Sequence, residues 1–273
     1  MREATFVKVS PTQNVTVLVE SPVPRELQAE TAAKLLAYDG VGGEQVGFLE
    51  KPTVPGAQLR LQMMGGEFCG NATMSVGAYL AWRTGLADGD CFDYMLEVSG
   101  APDVVECHIV RKGNAYRGTV RMPLPEKFGE VMLDTDAGTM KVPVVYMPGI
   151  VHMIVPMNER LSRPEIERRI RSWNDEIHAD ALGVIRYDES TQNIEPIVYV
   201  PATDSAVWER GCGSGTAALG SWKAWSTGGS FRGAICQPGG EITVQADGSA
   251  GEIYDLKITG TVRIMASGTA YLE

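Results

Sequence analysis

The sequence predicts an α+β fold made of two similar β-rich domains, each wrapped around a central helix that begins at a cysteine. Two short segments support this prediction: Phe-Cys-Gly-Asn-Ala-Thr at 68–73 and Gly-Cys-Gly-Ser-Gly-Thr at 211–216. Each continues into an apolar stretch of helical character. The two cysteines, Cys69 and Cys212, stand 143 residues apart, about half of the 273-residue chain. Strand-like segments dominate the remainder, which favours α+β over a doubly wound parallel sheet.

The first half reads as strands with two helices. Runs that are rich in β-branched residues, or that alternate between apolar and polar residues, are typical of strands. Such runs lie at 5–9, 15–19, 46–49, 59–63, 104–110 and 116–122. A helix is expected over 24–38 and a second one after Cys69. Met-Pro-Leu-Pro at 122–125 interrupts the pattern and indicates a linker.

The second half repeats this plan. Strands are expected at 142–146, 152–155, 194–200 and 242–244, with one helix at 164–173 and another after Cys212. The final stretch is again strand-like. We therefore expect an N-terminal domain over 1–122, a C-terminal domain over 123–261, and a last strand at 262–273 that returns to the N-terminal domain.

Composition excludes several classes of function. The formal net charge of −10 argues against a nucleic-acid-binding surface, which needs clustered Lys and Arg. No segment approaches the run of about 18 apolar residues that a membrane-spanning helix needs, so no membrane contact is expected. The N-terminus has no apolar signal core, and the cytoplasm is the expected location.

The cysteines and histidines form no metal-binding pattern. An odd number of widely spaced cysteines argues against a disulfide framework. The three histidines, His108, His152 and His178, belong to no known zinc motif. Phosphate-binding and dinucleotide-binding glycine motifs are also missing, and no lysine motif for pyridoxal phosphate is evident. We therefore expect neither a metal nor a cofactor.

Cys69 and Cys212 are the predicted catalytic residues. A cysteine at a helix N-terminus lies among unpaired backbone N–H groups at the positive end of the helix dipole. This position is expected to lower the pKa of its thiol and to make it a better base. Two such cysteines in two similar halves predict a symmetric pair that faces one substrate from opposite sides, in a cleft between the domains.

Four motifs together resemble the diaminopimelate epimerase superfamily of cofactor-independent amino-acid racemases and epimerases. They are Cys-Gly-Asn at 69–71, Trp-Glu-Arg-Gly at 208–211, Cys-Gly-Ser-Gly at 212–215 and Pro-Gly-Gly at 238–240. The resemblance covers nearly the whole chain, and both halves carry a motif in the right order. It implies the two-domain diaminopimelate epimerase-like fold, a homodimer and a free amino acid as substrate.

Within the superfamily, the chain resembles the histidine racemase branch that serves staphylopine-type metallophores. Gly-Glu-Gln-Val-Gly-Phe at 43–48 and Glu-Phe-Cys-Gly-Asn-Ala-Thr-Met-Ser at 67–75 carry that resemblance. Diaminopimelate epimerase itself typically has Gly-x-Arg-Cys after its first Cys-Gly-Asn, whereas Ala72-Thr73-Met74 stands here. It also has a longer insert before its second cysteine. The resemblance thus implies interconversion of L-histidine and D-histidine.

The chemistry of racemisation assigns roles to further residues. A thiolate removes the α-proton, and a thiol returns a proton on the other face. General acid–base catalysis works best when the pKa of the catalytic group is close to the operating pH. Backbone N–H groups at the helix starts can bind the substrate carboxylate. The resemblance adds acceptors for the ammonium group and residues that orient the substrate. The predicted substrate-binding residues are Asn14, Glu44, Gly70, Asn71, His152, Glu209, Gly213 and Ser214.

Other interpretations remain open at this point. Asn71 can simply cap its helix, Glu67 can belong to a turn, and buried cysteines are often part of the core. Diaminopimelate epimerase, a racemase of another amino acid, and a phenazine-biosynthesis-like isomerase are alternative functions. A thiol sensor or metal-binding module, in which the two cysteines form a disulfide, is the alternative outside enzymology.

Overall fold

The computed structural model describes residues 2–158 and 161–272. It confirms a sheet-rich α+β protein, with four α-helices in the described part of the chain. The chain divides into two compact units. Unit 1 comprises Met1–Arg121 and Ile258–Glu273, and unit 2 comprises Met122–Lys257. Unit 1 therefore includes the C-terminal stretch from Ile258 onwards.

The strands and helices have the following bounds. Unit 1 contains β1 (Arg2–Pro11), β2 (Thr16–Val19), α1 (Arg25–Leu36), β3 (Gln45–Glu50), β4 (Leu59–Met63), α2 (Gly70–Arg83), β5 (Cys91–Val98), β6 (Val105–Lys112) and β7 (Ala115–Arg121). Unit 2 contains β8 (Lys127–Thr135), β9 (Gly138–Met147), β10 (Ile150–Pro156), α3 (Arg163–Ile177), β11 (Leu182–Asp188), β12 (Asn193–Val200), β13 (Ser205–Trp208), α4 (Gly213–Thr227), β14 (Phe231–Gln237) and β15 (Gly240–Ser249). The last strand, β16 (Glu252–Leu272), begins in unit 2 and ends in unit 1.

The strands of unit 1 form a closed ring of pairings. They follow the order β1-β2-β3-β4-β5-β6-β7-β16, and β1 pairs with β16. Parallel pairs, β2 with β3 and β4 with β5, are mixed with antiparallel ones. Helix α2 packs against β1, β2, β5, β6 and β7. Ring closure leaves few unpaired strand edges, which favours a stable support for the start of α2.

Unit 2 places its strands in the order β16-β15-β14-β12-β11-β10-β9-β8, and β13 pairs with β12. Here too, parallel pairs occur, β10 with β11 and β12 with β14. Helix α4 packs against β14, β15, β9 and β10. Helix α3 buries Ile166, Ile170 and Trp173 in the core of the unit, and Ser162 caps its N-terminus.

A glycine in each cysteine-bearing helix allows that helix to approach its strands closely. Gly77 and Gly220 are the eighth residues after Cys69 and Cys212. A Cβ atom at Gly77 would lie 2.7 Å from the Cys107 sulfur, and one at Gly220 would lie 2.5 Å from a methyl carbon of Val244. Real Cβ atoms do not come so close to other atoms, because the interior of a protein is already close-packed. The internal repeat therefore extends from the cysteine motifs into the packing.

The structure corrects the set of predicted strands. Five strands were not predicted: β5, β8, β11, β13 and β14. Strand β8 shows why, because only Leu133 of its nine residues is buried and the apolar alternation is therefore weak. Most of the described strand pairs are antiparallel, and four run parallel. In the described part of the chain, no helix is both long and apolar enough to cross a membrane.

Candidate active site

Cys69 caps the N-terminus of α2. Its backbone is extended, with φ −134° and ψ 111°, and its sulfur accepts a hydrogen bond from the Ala72 N–H at 3.4 Å. The Thr73 hydroxyl donates to the Cys69 carbonyl at 2.8 Å and secures the first turn of the helix. The sulfur therefore lies at the positive end of α2, as the sequence predicts. Asn71 does not cap the helix; it is buried in the first turn.

Asn14 and Glu44 meet at the beginning of β2 and β3. A tight turn after β1 brings Asn14 into place, with Thr12 and Gln13 in the left-handed backbone region and the Asn14 N–H donating to the Pro11 carbonyl at 2.8 Å. The amide of Asn14 then donates to a carboxylate oxygen of Glu44 at 2.6 Å. The two residues were predicted separately as substrate-binding, and the structure joins them directly.

Gln45 connects this pair to Cys69. Its Nε2 group donates to Asn14 Oδ1 at 2.7 Å and to Thr16 Oγ1 at 2.9 Å. Its Oε1 atom accepts a hydrogen bond from the Cys69 thiol at 3.2 Å. A continuous chain of hydrogen bonds therefore runs from Glu44 through Asn14 and Gln45 to the predicted catalytic sulfur. Gln45 lies within the Gly-Glu-Gln-Val-Gly-Phe segment at 43–48 but is not among the residues that the sequence predicts for the site.

Cys212 caps α4 in the same manner as Cys69 caps α2. Its sulfur accepts from the Gly215 N–H at 3.2 Å, and the Thr216 hydroxyl donates to the Cys212 carbonyl at 2.7 Å. A second glutamine, Gln237, accepts from the Cys212 N–H at 2.6 Å and donates to Thr216 at 2.7 Å. Gln237 was not predicted either, although it precedes the Pro-Gly-Gly motif. It holds the backbone of the cysteine and not its side chain.

A carboxyl group lies beside the Cys212 sulfur. The Cys212 side chain is hydrogen-bonded to Glu209. Desolvation raises the pKa of the Glu209 carboxyl, although the residue as a whole is only half-buried. Burial, followed by the charge and hydrogen bond of Glu209, also raises the pKa of the Cys212 thiol well above its usual value. The two groups thus compete for protons in a dry environment.

The expectation of a lowered cysteine pKa is therefore wrong for Cys212. The helix start acts in the predicted direction, because the Gly215 N–H and the Ser214 hydroxyl both lower this pKa. The effect is smaller than that of burial, since Cys212 is only 2% exposed and a thiolate there loses its hydration. The carboxyl group hydrogen-bonded to this thiol is that of Glu209.

His152 approaches Cys212 through Ser214. The His152 Nε2 atom lies 3.1 Å from the Ser214 hydroxyl, which lies 3.5 Å from the Cys212 sulfur. Burial lowers the pKa of His152 to about 3, so the ring is neutral at physiological pH. The ring occupies the space beside Gly183, where a Cβ atom would lie 2.1 Å from Nδ1. Glycine on β11 thus makes room for the imidazole on β10.

The predicted site residues fall into two groups of five. Asn14, Glu44, Cys69, Gly70 and Asn71 belong to unit 1, while His152, Glu209, Cys212, Gly213 and Ser214 belong to unit 2. Gly70 and Gly213 are the first residues of their helices. Glu67 lies exposed in the loop before Cys69, so the glutamates that precede the two cysteines are not equivalent. Among the described residues, no cluster of three or more His, Cys, Asp or Glu is arranged to bind a metal ion.

Comparisons with known proteins show which family this chain is similar to. The family model for the histidine racemase CntK N-terminal domain matches residues 3–271. A histidine racemase of Staphylococcus aureus is 30% identical, and the match covers 98% of this chain and 97% of that protein. A histidine racemase of Fusobacterium nucleatum is 29% identical over the same shares of the two chains.

The fold is also similar to that of solved structures. A crystal structure of a hydroxyproline epimerase from Agrobacterium vitis with bound trans-4-OH-L-proline has a TM-score of 0.72 at 15% identity. The similarity covers 99% of this chain and 93% of that one. At that identity the structure supports the fold alone. The match of the family model over almost the whole length, together with the full-length relatives, shows that this chain belongs to the histidine racemase family.

Proposed function

We propose that this protein interconverts L-histidine and D-histidine without a cofactor, using Cys69 and Cys212 as the two groups that move the α-proton. Membership of the histidine racemase family makes it an amino-acid racemase, and thus an isomerase. One observation carries the mechanism: two cysteines cap two equivalent helices, and each has polar groups within hydrogen-bonding distance of its sulfur.

The proposed reaction moves one proton off the α-carbon and another onto it. A cysteine thiolate on one face takes the α-hydrogen as a proton, and the electron pair of the C–H bond stays with the substrate and spreads into its carboxylate. The thiol on the other face then gives its proton to the same carbon. Each turnover exchanges the roles of thiol and thiolate, so no external oxidant or reductant is needed.

Glu209 provides the thiolate in this proposal. The Cys212 thiol passes its proton to the Glu209 carboxylate, and the Ser214 hydroxyl and the Gly215 N–H stabilise the resulting thiolate. Desolvation raises the pKa of the Glu209 carboxyl and thereby favours this transfer, whereas the raised pKa of the Cys212 thiol opposes it; the hydrogen bonds from Ser214 and Gly215 offset part of that opposition. His152, neutral at working pH, orients Ser214 from behind.

The remaining parts of the proposal concern architecture and context. We place the two domains at the bounds of the two compact units, each wrapped around its cysteine-bearing helix. Gly70, Asn71 and Gly213 bind the substrate carboxylate through their N–H groups. The family resemblance supports a homodimer, a cytoplasmic location and a role in making metallophores of the staphylopine type.

Deuterium exchange at the α-carbon tests the proposal. In D₂O, with no added cofactor, L-histidine is expected to gain deuterium and to yield D-histidine. Cys69→Ala and Cys212→Ala should each reduce racemisation by at least about 10²–10⁴-fold, the range typical of losing a general acid or base. Cys91→Ala is the matched control, because Cys91 is exposed and lies outside both cysteine sites.

Two outcomes would contradict the proposal. Substantial racemisation by both cysteine variants would exclude the two-cysteine mechanism. Exchange with diaminopimelate, offered in parallel, but none with histidine would transfer the protein to the alternative function of diaminopimelate epimerase.

A further inference from the structure

We infer that Gln45 is a positioning residue that holds Cys69 as the protonated thiol, and that the negative charge of Glu44 fixes the direction of the hydrogen bonds that lead to it. The inference deepens the proposed function and rests on it, since it assigns the proton donor of the pair. It follows from which atoms can donate and which can only accept.

The first step is the orientation of Asn14. An ionised carboxylate has no proton to donate, so it can only accept hydrogen bonds. The atom of Asn14 that lies 2.6 Å from the Glu44 carboxylate must therefore be the NH₂ group. Asn14 is buried, with 5% of its surface exposed, so its amide cannot turn without losing this bond. Its carbonyl oxygen consequently faces Gln45.

The second step is the orientation of Gln45. The Asn14 carbonyl oxygen, at 2.7 Å, can only accept, so Gln45 must present its NH₂ group there. The same NH₂ group donates to the Thr16 hydroxyl, whose own hydrogen points to the Asn14 backbone carbonyl at 3.4 Å. The hydrogen bonds to Asn14 and to Thr16 therefore require the same orientation of the Gln45 amide.

The third step places the proton on Cys69. With its NH₂ group engaged, Gln45 presents its carbonyl oxygen to the Cys69 sulfur at 3.2 Å. A thiol can donate to this oxygen, whereas a thiolate would set two acceptors against each other. Rotation of the Gln45 amide would relieve the conflict, but it would require Asn14 to turn its oxygen towards Glu44. The charge of Glu44 therefore disfavours the thiolate form of Cys69, although three successive hydrogen bonds separate the two residues.

This arrangement makes the two cysteines unequal at rest. Cys69 keeps its proton against the Gln45 carbonyl and acts as the acid. Cys212 also starts as a thiol, since burial and Glu209 raise its pKa, and it becomes the base only after Glu209 has accepted its proton. After Cys69 has given up its proton, the thiolate faces the Gln45 oxygen. The enzyme must then recover a proton at Cys69 before the next turnover in the same direction.

The test measures the protonation of Cys69 directly and needs no turnover. In the full-length protein, the rate of Cys69 alkylation by iodoacetamide is followed against pH by peptide mass spectrometry, because only the thiolate reacts. Gln45→Ala removes the acceptor and admits water, so the midpoint should fall by about 0.5–1 pH unit, the equivalent of one hydrogen bond. Gln45→Glu places a negative charge at the sulfur and should raise the midpoint.

Two variants, each lacking one carboxylate, show whether Glu44 acts on the Cys69 midpoint through the hydrogen bonds or simply through its charge. Glu44→Gln frees Asn14 and Gln45 to turn, so the midpoint should fall. Glu67→Gln removes the same charge from an exposed residue two positions before Cys69, and the midpoint should stay in place. Shifts of the same sign for Gln45→Ala and Gln45→Glu would overturn the inference. So would an equal shift for Glu67→Gln and Glu44→Gln.

A second measurement does not depend on the folding of the Gln45 variants. At about pH 9, above the usual pKa of a cysteine, the infrared difference between wild type and Cys69→Ser should still contain a hydrogen-bonded S–H band. Absence of that band would overturn the inference. Because neither readout requires racemisation, failure of the inference and failure of the proposed function are distinguishable.

Discussion

Cys69 and Cys212 begin their helices in the same way, but different groups surround their sulfurs. At both positions a threonine four residues later donates to the cysteine carbonyl, and the sulfur accepts one backbone N–H. The Cys69 sulfur contacts the neutral side-chain carbonyl of Gln45, whereas the Cys212 side chain is hydrogen-bonded to the Glu209 carboxyl and lies beside the Ser214 hydroxyl. The duplicated motif thus gives both cysteines the same backbone contacts at a helix start. The residues that surround each helix start give the two sulfurs different chemical neighbours.

Replacement of Glu209 should have the largest effect on this comparison. Glu209→Gln keeps the shape of the side chain but cannot accept the Cys212 proton. We expect kcat for racemisation to fall by about 10²–10⁴-fold, as for loss of a general base. Steady-state kinetics on L-histidine and D-histidine would measure the loss.

Glu67→Gln is the matched control for that variant, since Glu67 also precedes its cysteine but lies exposed. It should retain nearly full activity. Equal losses in the two variants would show that the two glutamates are equivalent after all, and the contrast between the two sites would fail.

The buried His152 predicts a pH dependence that belongs to unit 2. Its pKa is lowered from 6.5 to about 3 by burial, so between these values the unfolded chain binds a proton that the folded chain excludes. The free energy of unfolding should therefore fall as the pH falls through this window, by about 1.4 kcal/mol for each pH unit from this residue. Urea unfolding at several pH values should show that His152→Asn lacks this part of the slope.

His178→Asn is the control, because His178 is exposed and asparagine also tolerates its left-handed backbone conformation. This variant should keep the wild-type slope. A His152→Asn slope equal to that of wild type would mean that the imidazole is reached by water in the folded protein.

The smallest expected effect is on stability, and it tests the close helix packing that Gly77 and Gly220 allow in the two units. Gly77→Ala and Gly220→Ala place a Cβ atom against Cys107 and Val244, respectively. Overpacking typically costs about 1–3 kcal/mol, and the better helix propensity of alanine returns up to about 1 kcal/mol. Both variants should lower the free energy of unfolding by similar amounts in urea titrations.

Gly229→Ala is the control for these two variants. Within the part of the chain that the structure describes, no heavy atom beyond its chain neighbours lies within 4 Å of a Cβ atom placed there. Its stability should remain close to that of wild type. Destabilisation by only one of the helix variants would show that the two helices do not pack equivalently.

Much of the site could be predicted from local sequence because a helix start is a local structure. Cys69 and Cys212 precede apolar helical segments, and a cysteine at such a position must lie among the free N–H groups of the first turn. Asn14, Glu44 and His152 required the family resemblance, since nothing in their immediate neighbours marks them, whereas Glu209 is also marked by its place beside Cys212. Gln45, Gln237 and Gly183 were missed, because their importance comes from a contact with a residue distant in sequence.

The fold shows the same division. Strands β4 and β12 were predicted because their buried residues recur with a period close to two, and β2 because it is rich in β-branched residues. Strands β8 and β14 were missed, because only one of nine and two of seven of their residues, respectively, are buried and the apolar alternation is weak. The parallel pairs could not be read from the sequence either, since pairing direction depends on how distant segments meet.

The sequence by itself determined the α+β class, the duplicated cysteine motif and the family to which the chain belongs. Each of these depends on residue patterns within a few positions or on similarity along the whole chain. Only the tertiary structure decided the protonation environment of the two sulfurs. Burial raises the pKa of Cys212 despite its helix start, and Glu44 determines the orientation of amides that reach Cys69 through Asn14 and Gln45. Proton affinity is set by solvent access and by the direction of hydrogen bonds, and both arise only when distant segments are packed together.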